Sequence, residues 1–198
     1  MNKNKSLFKS KWHLLISVIA FAAMIYGFIY LGKLDVNAGK KTDAILFSEE
    51  FNLVDKDNVF VYKNASEVWN RINTGNAIIL FGIKNNEWVN NAAKMINEVA
   101  KEHGIAEIFY YDIHNDRYNN NATYESMLIK LKNYVYVDDL NHAEMYAPTI
   151  MVMKNNKILL FNSDTSFMIN TTPSEYWTQE RITEYKDALA LAFDTYRG

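Results

Sequence analysis

The segment NAIILFGI, residues 76–83, is apolar almost without interruption. A short continuous apolar run of this kind fits a strand covered on both faces. Such a strand needs helices on both sides of its sheet. The flanking sequence supplies them. ASEVWNRINTG precedes it, with Ser66 as the predicted helix N-cap, Glu67 in the first turn and Gly75 as the stop. After it, Trp88, Ala92, Met95, Ile96, Val99 and Ala100 recur at spacings of three and four. That stripe predicts a helix over 87–103, ended by Gly104.

The same alternation continues in both directions. NVFVYK (58–63) and AEIFYYDI (106–113) read as strands, and HNDRYNNN as a polar loop. TYESMLIKLKNY (123–134) reads as a helix with Met127, Leu128 and Leu131 inward. In YAPTIMVMKNNKILLF (146–161), two apolar runs flank Asn155-Asn156, a pair suited to positive φ in a tight hairpin. The end of the chain is helical, with Ile182, Tyr185, Leu189, Ala192 and Phe193 facing the sheet. The order βαβαβαββα predicts an α/β fold in three layers, α/β/α. Its mixed central sheet joins parallel early strands by right-handed crossovers and ends in an antiparallel hairpin. The frequent asparagines, as in NDRYNNNAT, read as compositional bias or solvated loop.

WHLLISVIAFAAMIYGFIYL, residues 12–31, holds 20 residues without an acid, Lys or Arg. At 1.5 Å per residue it matches the roughly 30 Å hydrocarbon core. Trp12, Phe28 and Tyr30 lie near its ends, as membrane interfaces favour. Lys3, Lys5, Lys9 and Lys11 precede it unopposed, which predicts an inside amino terminus and an extracytoplasmic body. The expected organisation is a basic terminus (1–11), a transmembrane anchor (12–31), a tether (32–45) and a domain (46–198). A cleaved signal ending at VNA (36–38) is the competing reading, but the apolar run exceeds the usual ~7–15 residues of a signal core. Beyond residue 11 stand 17 basic residues against all 23 acids, a balance that gives nucleic acid no reason to bind. The chain has no cysteine, so disulfides, thiol catalysis and cysteine-bound metal are excluded. The four histidines show no zinc-site spacing, and no metal or other cofactor is expected.

The element order, and two local marks, resemble the thioredoxin-like superfamily. The closest likeness is to small membrane-anchored thioredoxin-like proteins of the bacteriocin transport accessory type. Such proteins carry a strand, a glycine, and C-P-W-C opening a helix. Here the run is FGIKNNEWVNNA, in which Gly82, Trp88 and Ala92 match. The two cysteine positions fall on Asn86 and Val89, and the proline position on Glu87. The second mark is a cis-proline before the fourth strand, at Pro148 in YAPTIMV. The family chemistry, thiol–disulfide exchange, needs a thiolate and a resolving thiol. An amide and an alkyl group supply neither. What the resemblance still implies is a peptide groove formed by Asn86, Glu87, Trp88, Val89, Ala147 and Pro148. The expectation is therefore a non-catalytic accessory protein that binds exported polypeptides or a membrane protein. A fold relic without groove function is the plain alternative. An enzyme using other groups, such as an Asp112–His114 acid/base pair, is the rival class.

VDDLNHAE (137–144) gathers Asp138, Asp139, His142 and Glu144, which could collect a cation or simply form a solvated loop. Asn64, Asn121 and Asn170 head formal glycosylation sequons. The connection 162–177 carries Phe167, Met168, Tyr176 and Trp177, either packed on the sheet or forming a second contact surface.

Overall fold

The computed structural model describes residues 41–168 and 170–198. Its elements, in chain order, are α1 (Asp43–Glu50), β1 (Phe60–Tyr62), α2 (Ala65–Asn73), β2 (Ala77–Gly82) and α3 (Glu87–Glu102). Next come β3 (Ile108–Asp112), α4 (His114–Tyr118), α5 (Ala122–Lys130), β4 (Tyr136–Val137) and β5 (Ala143–Glu144). Strands β6 (Thr149–Lys154) and β7 (Lys157–Asn162), a 3-10 turn (Asp164–Phe167), α6 (Pro173–Tyr176) and α7 (Gln179–Arg197) complete the chain.

Five strands form one mixed sheet in the order β1-β3-β2-β6-β7. β3 runs parallel to both β1 and β2, whereas β6 is antiparallel to β2 and to β7. All six residues of β2 are buried, as their unbroken apolarity requires. Alternate side chains feed two cores. Ile78 and Leu80 join Phe47, Ile96, Leu189 and Phe193 on one face. Ile79 and Phe81 join Val68, Ile72, Met127 and Leu128 on the other. The protein is thus a mixed α/β structure with helices on both faces of its sheet. The turn at Asn155 (φ 50°) and Asn156 (φ 61°) is the predicted tight hairpin.

Five local features depart from the sequence reading. Helix α1 falls where a tether meets the domain. Its Phe47 and Phe51 are fully buried, Phe47 stacking on Phe60 at 4.1 Å. Helix α2 is capped by Asn64 rather than Ser66, since Asn64 exchanges reciprocal bonds with Glu67. The polar loop after β3 contains α4, and VDDLNHAE contributes to the small β4–β5 hairpin. Helix α5 stops at Lys130, ahead of the predicted 134.

The asparagines acquire a conformational account. Asn85, Asn120, Asn141, Asn155, Asn156 and Asn170 all take positive φ, and Asn64, Asn86 and Asn121 cap helices. A short amide tolerates the left-handed region and accepts backbone N–H bonds. In a chain with 7 glycines, asparagine fills much of the turn inventory.

The segment 12–31 lies outside the described residues, as do 1–11 and 32–40. Among the described residues, no helix is long and apolar enough to cross a membrane.

The cores also fix an alkaline limit. Burial pushes the phenols of Tyr62, Tyr110, Tyr111 and Tyr185 well above their ordinary value, and that of Tyr124 up to about 12. A folded pKa above the unfolded one contributes stability that is complete below the unfolded value near 10 and lost as pH rises beyond it. In a titration followed by tyrosinate absorbance, these five phenols should ionise together with unfolding above that pH. Independent ionisation of all tyrosines near pH 10, with the fold intact, would refute their burial.

Candidate functional site

The register of β2 against β6 decides which loops meet. Phe81 pairs with Thr149, so Pro148 lies beside Gly82 at one end of the sheet. From Gly82 the chain runs through Ile83–Asn85, with Asn85 at φ 57°, into α3. The six residues singled out from the sequence therefore share that end of the sheet. A Cβ on Gly82 would strike the ring of Tyr110, so only glycine fits this crossing.

Each of the two positions where the resembled family carries a thiol has a structural role here. The Asn86 carboxamide oxygen caps α3, accepting from Trp88 N at 2.9 Å and Val89 N at 3.1 Å. Val89 is fully buried in the core with Ala92 and Ala93. Glu87 opens the helix, exposed, where the positive end of the helix dipole favours its charge. Trp88 is half-buried rather than fully exposed. Its ring meets Tyr176 edge-on at 5.7 Å, and Arg181 lies 4.1 Å above Tyr176.

The Ala147–Pro148 peptide is cis. The Pro148 carbonyl accepts the Ser166 hydroxyl at 2.6 Å, and Thr149 Oγ1 donates to the Tyr146 carbonyl at 2.7 Å. Ala147 is half-buried, and its own N–H and C=O bond to nothing among the described residues. Buried or half-buried backbone groups are normally paired. The stretches 163–168 and 172–177 thus supply walls on both sides, Ser166 at Pro148 and Tyr176 at Trp88. Trp177 turns inward instead, against Tyr185 at 5.1 Å.

Behind the α3 entrance lies a polar group. Lys84 pairs with Glu50 at 2.6 Å, and Tyr62 donates to the other Glu50 oxygen at 2.7 Å. The Glu50 carboxylate holds the Lys84 ammonium above its ordinary range. The Tyr110 hydroxyl is buried and unpartnered among the described residues.

The other sequence candidates separate. Asp112 accepts the backbone N–H of His114 at 3.0 Å, and the His114 ring packs on Tyr118, so the two side chains form no acid/base pair. Asp138 closes the hairpin tip, accepting from the N–H groups of Leu140 and His142. Those bonds, His142 foremost, hold its carboxyl below the ordinary value. Among the described residues, no three His, Asp or Glu side chains gather into a metal-binding group. Sequence reasoning missed Tyr136, Tyr146 and Ser166, because nothing in their spacing places a two-residue hairpin and a 3-10 turn beside Pro148.

The fold and site together define a mixed α/β protein with a helix entrance and a proline loop side by side, and no sulfur between them. No family model, curated protein or solved structure matches the chain.

Proposed function

We propose that the protein is a thioredoxin-like domain, anchored by residues 12–31 with its body outside the cytoplasm, that binds extended polypeptide without catalysis. The observation that carries this is Ala147. Its N–H and C=O, without a partner among the described residues, stand beside Pro148 and the α3 entrance, a donor and acceptor pair ready for a strand-like guest. Main-chain capture of that kind needs no thiol. The element order, the proline loop before β6 and the helix opening on Asn86–Val89 support the family reading. Asn86 and Val89 support the absence of catalysis: one is a cap, the other is core, and neither can attack sulfur.

The test uses the full chain and a permanently unfolded, thiol-blocked polypeptide as probe. Trp88→Ala should weaken binding by about 2 kcal/mol, the scale of an aromatic anchor, with the fold intact. Unchanged affinity in the folded variant would refute the groove. An insulin-reduction assay separates the rival class. No turnover above buffer is expected, and turnover would mark an enzyme.

A further inference from the structure

The loops around Pro148 build an aromatic shelf. Tyr136 on β4, Tyr146 beside the proline and Phe167 on the 3-10 turn touch one another, with ring centroids 4.7 to 5.8 Å apart. Tyr136 and Phe167 remain 47% and 45% exposed, so their rings face solvent beside the groove. Ser166, one residue before Phe167, ties the shelf to the Pro148 carbonyl.

The shelf already holds one cation. The Arg117 guanidinium lies 4.5 Å above Tyr146 and pairs with Glu144 at 3.0 Å. Ring faces of this kind attract further cations by their quadrupole. The nearby acids point the same way. Asp139 at the hairpin tip, Asp164 at the start of the 3-10 turn and Glu87 beside Trp88 form no ion pair among the described residues, and Asp164 lines one cavity with Arg181 and Tyr176. Lys84, by contrast, is paired with Glu50.

Resting on the groove reading above, we propose that this shelf selects the guest. The partner is an extended polypeptide bearing Lys or Arg between apolar residues. Its apolar side chains pack on Tyr136 and Phe167, and its cations take the open ring faces and the unpaired acids. Complementary charge would set specificity more than raw affinity.

The experiment uses the full chain in neutral detergent micelles and two labelled synthetic peptides of equal length. One alternates leucine with arginine, the other leucine with glutamate. Fluorescence anisotropy should give the arginine peptide an affinity at least about tenfold higher, a margin that shrinks as salt is raised. Tyr136→Ser with Phe167→Ser should abolish most of that margin. Asp139→Asn with Asp164→Asn, on exposed side chains that carry no packing, should reduce it too. Equal binding of both peptides, weakened by Trp88→Ala, would keep the groove and overturn the selectivity. A margin untouched by both double variants would overturn the shelf as its source. Failure of both peptides to bind would overturn both proposals.

Discussion

Phe47→Ala should cost about 3–5 kcal/mol and lower the melting temperature by roughly 10 °C or more, the range for removing a buried aromatic from a domain this size. Phe47 is fully buried, stacked on Phe60 and edge-on to Tyr110 at 5.1 Å. Its ring closes the core where α1 crosses β1. Polar bonds fix the same crossing: Asp43 accepts the Tyr62 N–H at 3.1 Å, and Asn58 Nδ2 donates to the Ala44 carbonyl at 2.8 Å. The surrounding rings are held from several sides and cannot collapse into the void, so the cavity contribution persists. Leu46, 38% exposed on the same helix, is the control, and its alanine variant should lose well under half as much. A loss below about 1 kcal/mol for Phe47→Ala would mean that α1 does not belong to the domain core.

Asn86→Cys with Val89→Cys should convert an inert site into a weak thiol reductase. Position 86 stands at the N-cap of α3, and position 89 lies within its first turn. Removing the Asn86 carboxamide frees the N–H groups of Trp88 and Val89, which then stabilise a thiolate at residue 86 together with the helix dipole. Loss of the cap costs about 1 kcal/mol, which the domain should tolerate. Glu87, between the two thiols, opposes the thiolate and should leave the pair less reactive than with a neutral residue there. The double variant should form an internal disulfide and reduce insulin slowly. Each single variant should not, because a lone thiol has no partner to resolve the mixed disulfide. A pair that stays reduced under air would contradict the proposed geometry of the α3 entrance.

The elements legible in the sequence are those whose side chains repeat a period. β2 announced itself through its unbroken apolar run, α3 through its stripe, and the β6–β7 hairpin through Asn155-Asn156. Helix α1 did not, because in DAILFSEE only Phe47 is fully buried and neighbouring Leu46 is exposed. Its placement depends on Phe60 and Tyr110, which are distant in sequence. Helix α4 and the β4–β5 hairpin are short and polar, so packing and local caps decide them rather than periodicity. At the site, Asn86 and Val89 were located by matching FGIKNNEWVNNA to the motif of the resembled family, and Pro148 by its place before the strand in YAPTIMV. The walls around them were not legible, since Ser166, Tyr176 and Tyr136 arrive from loops whose course depends on tertiary contact. Asn86 also shows what a carboxamide can do at such a position. It cannot exchange disulfides, but it caps a helix well.

The groove itself can be mapped directly. Amide chemical shifts of the full chain in micelles should be recorded while the thiol-blocked unfolded polypeptide is added. The largest changes should fall on Glu87, Trp88, Ala147 and Ser166, with the Ala147 N–H shifting as it gains an acceptor. Changes that leave Ala147 and Trp88 untouched and gather instead on the outer face of α7 would contradict the groove.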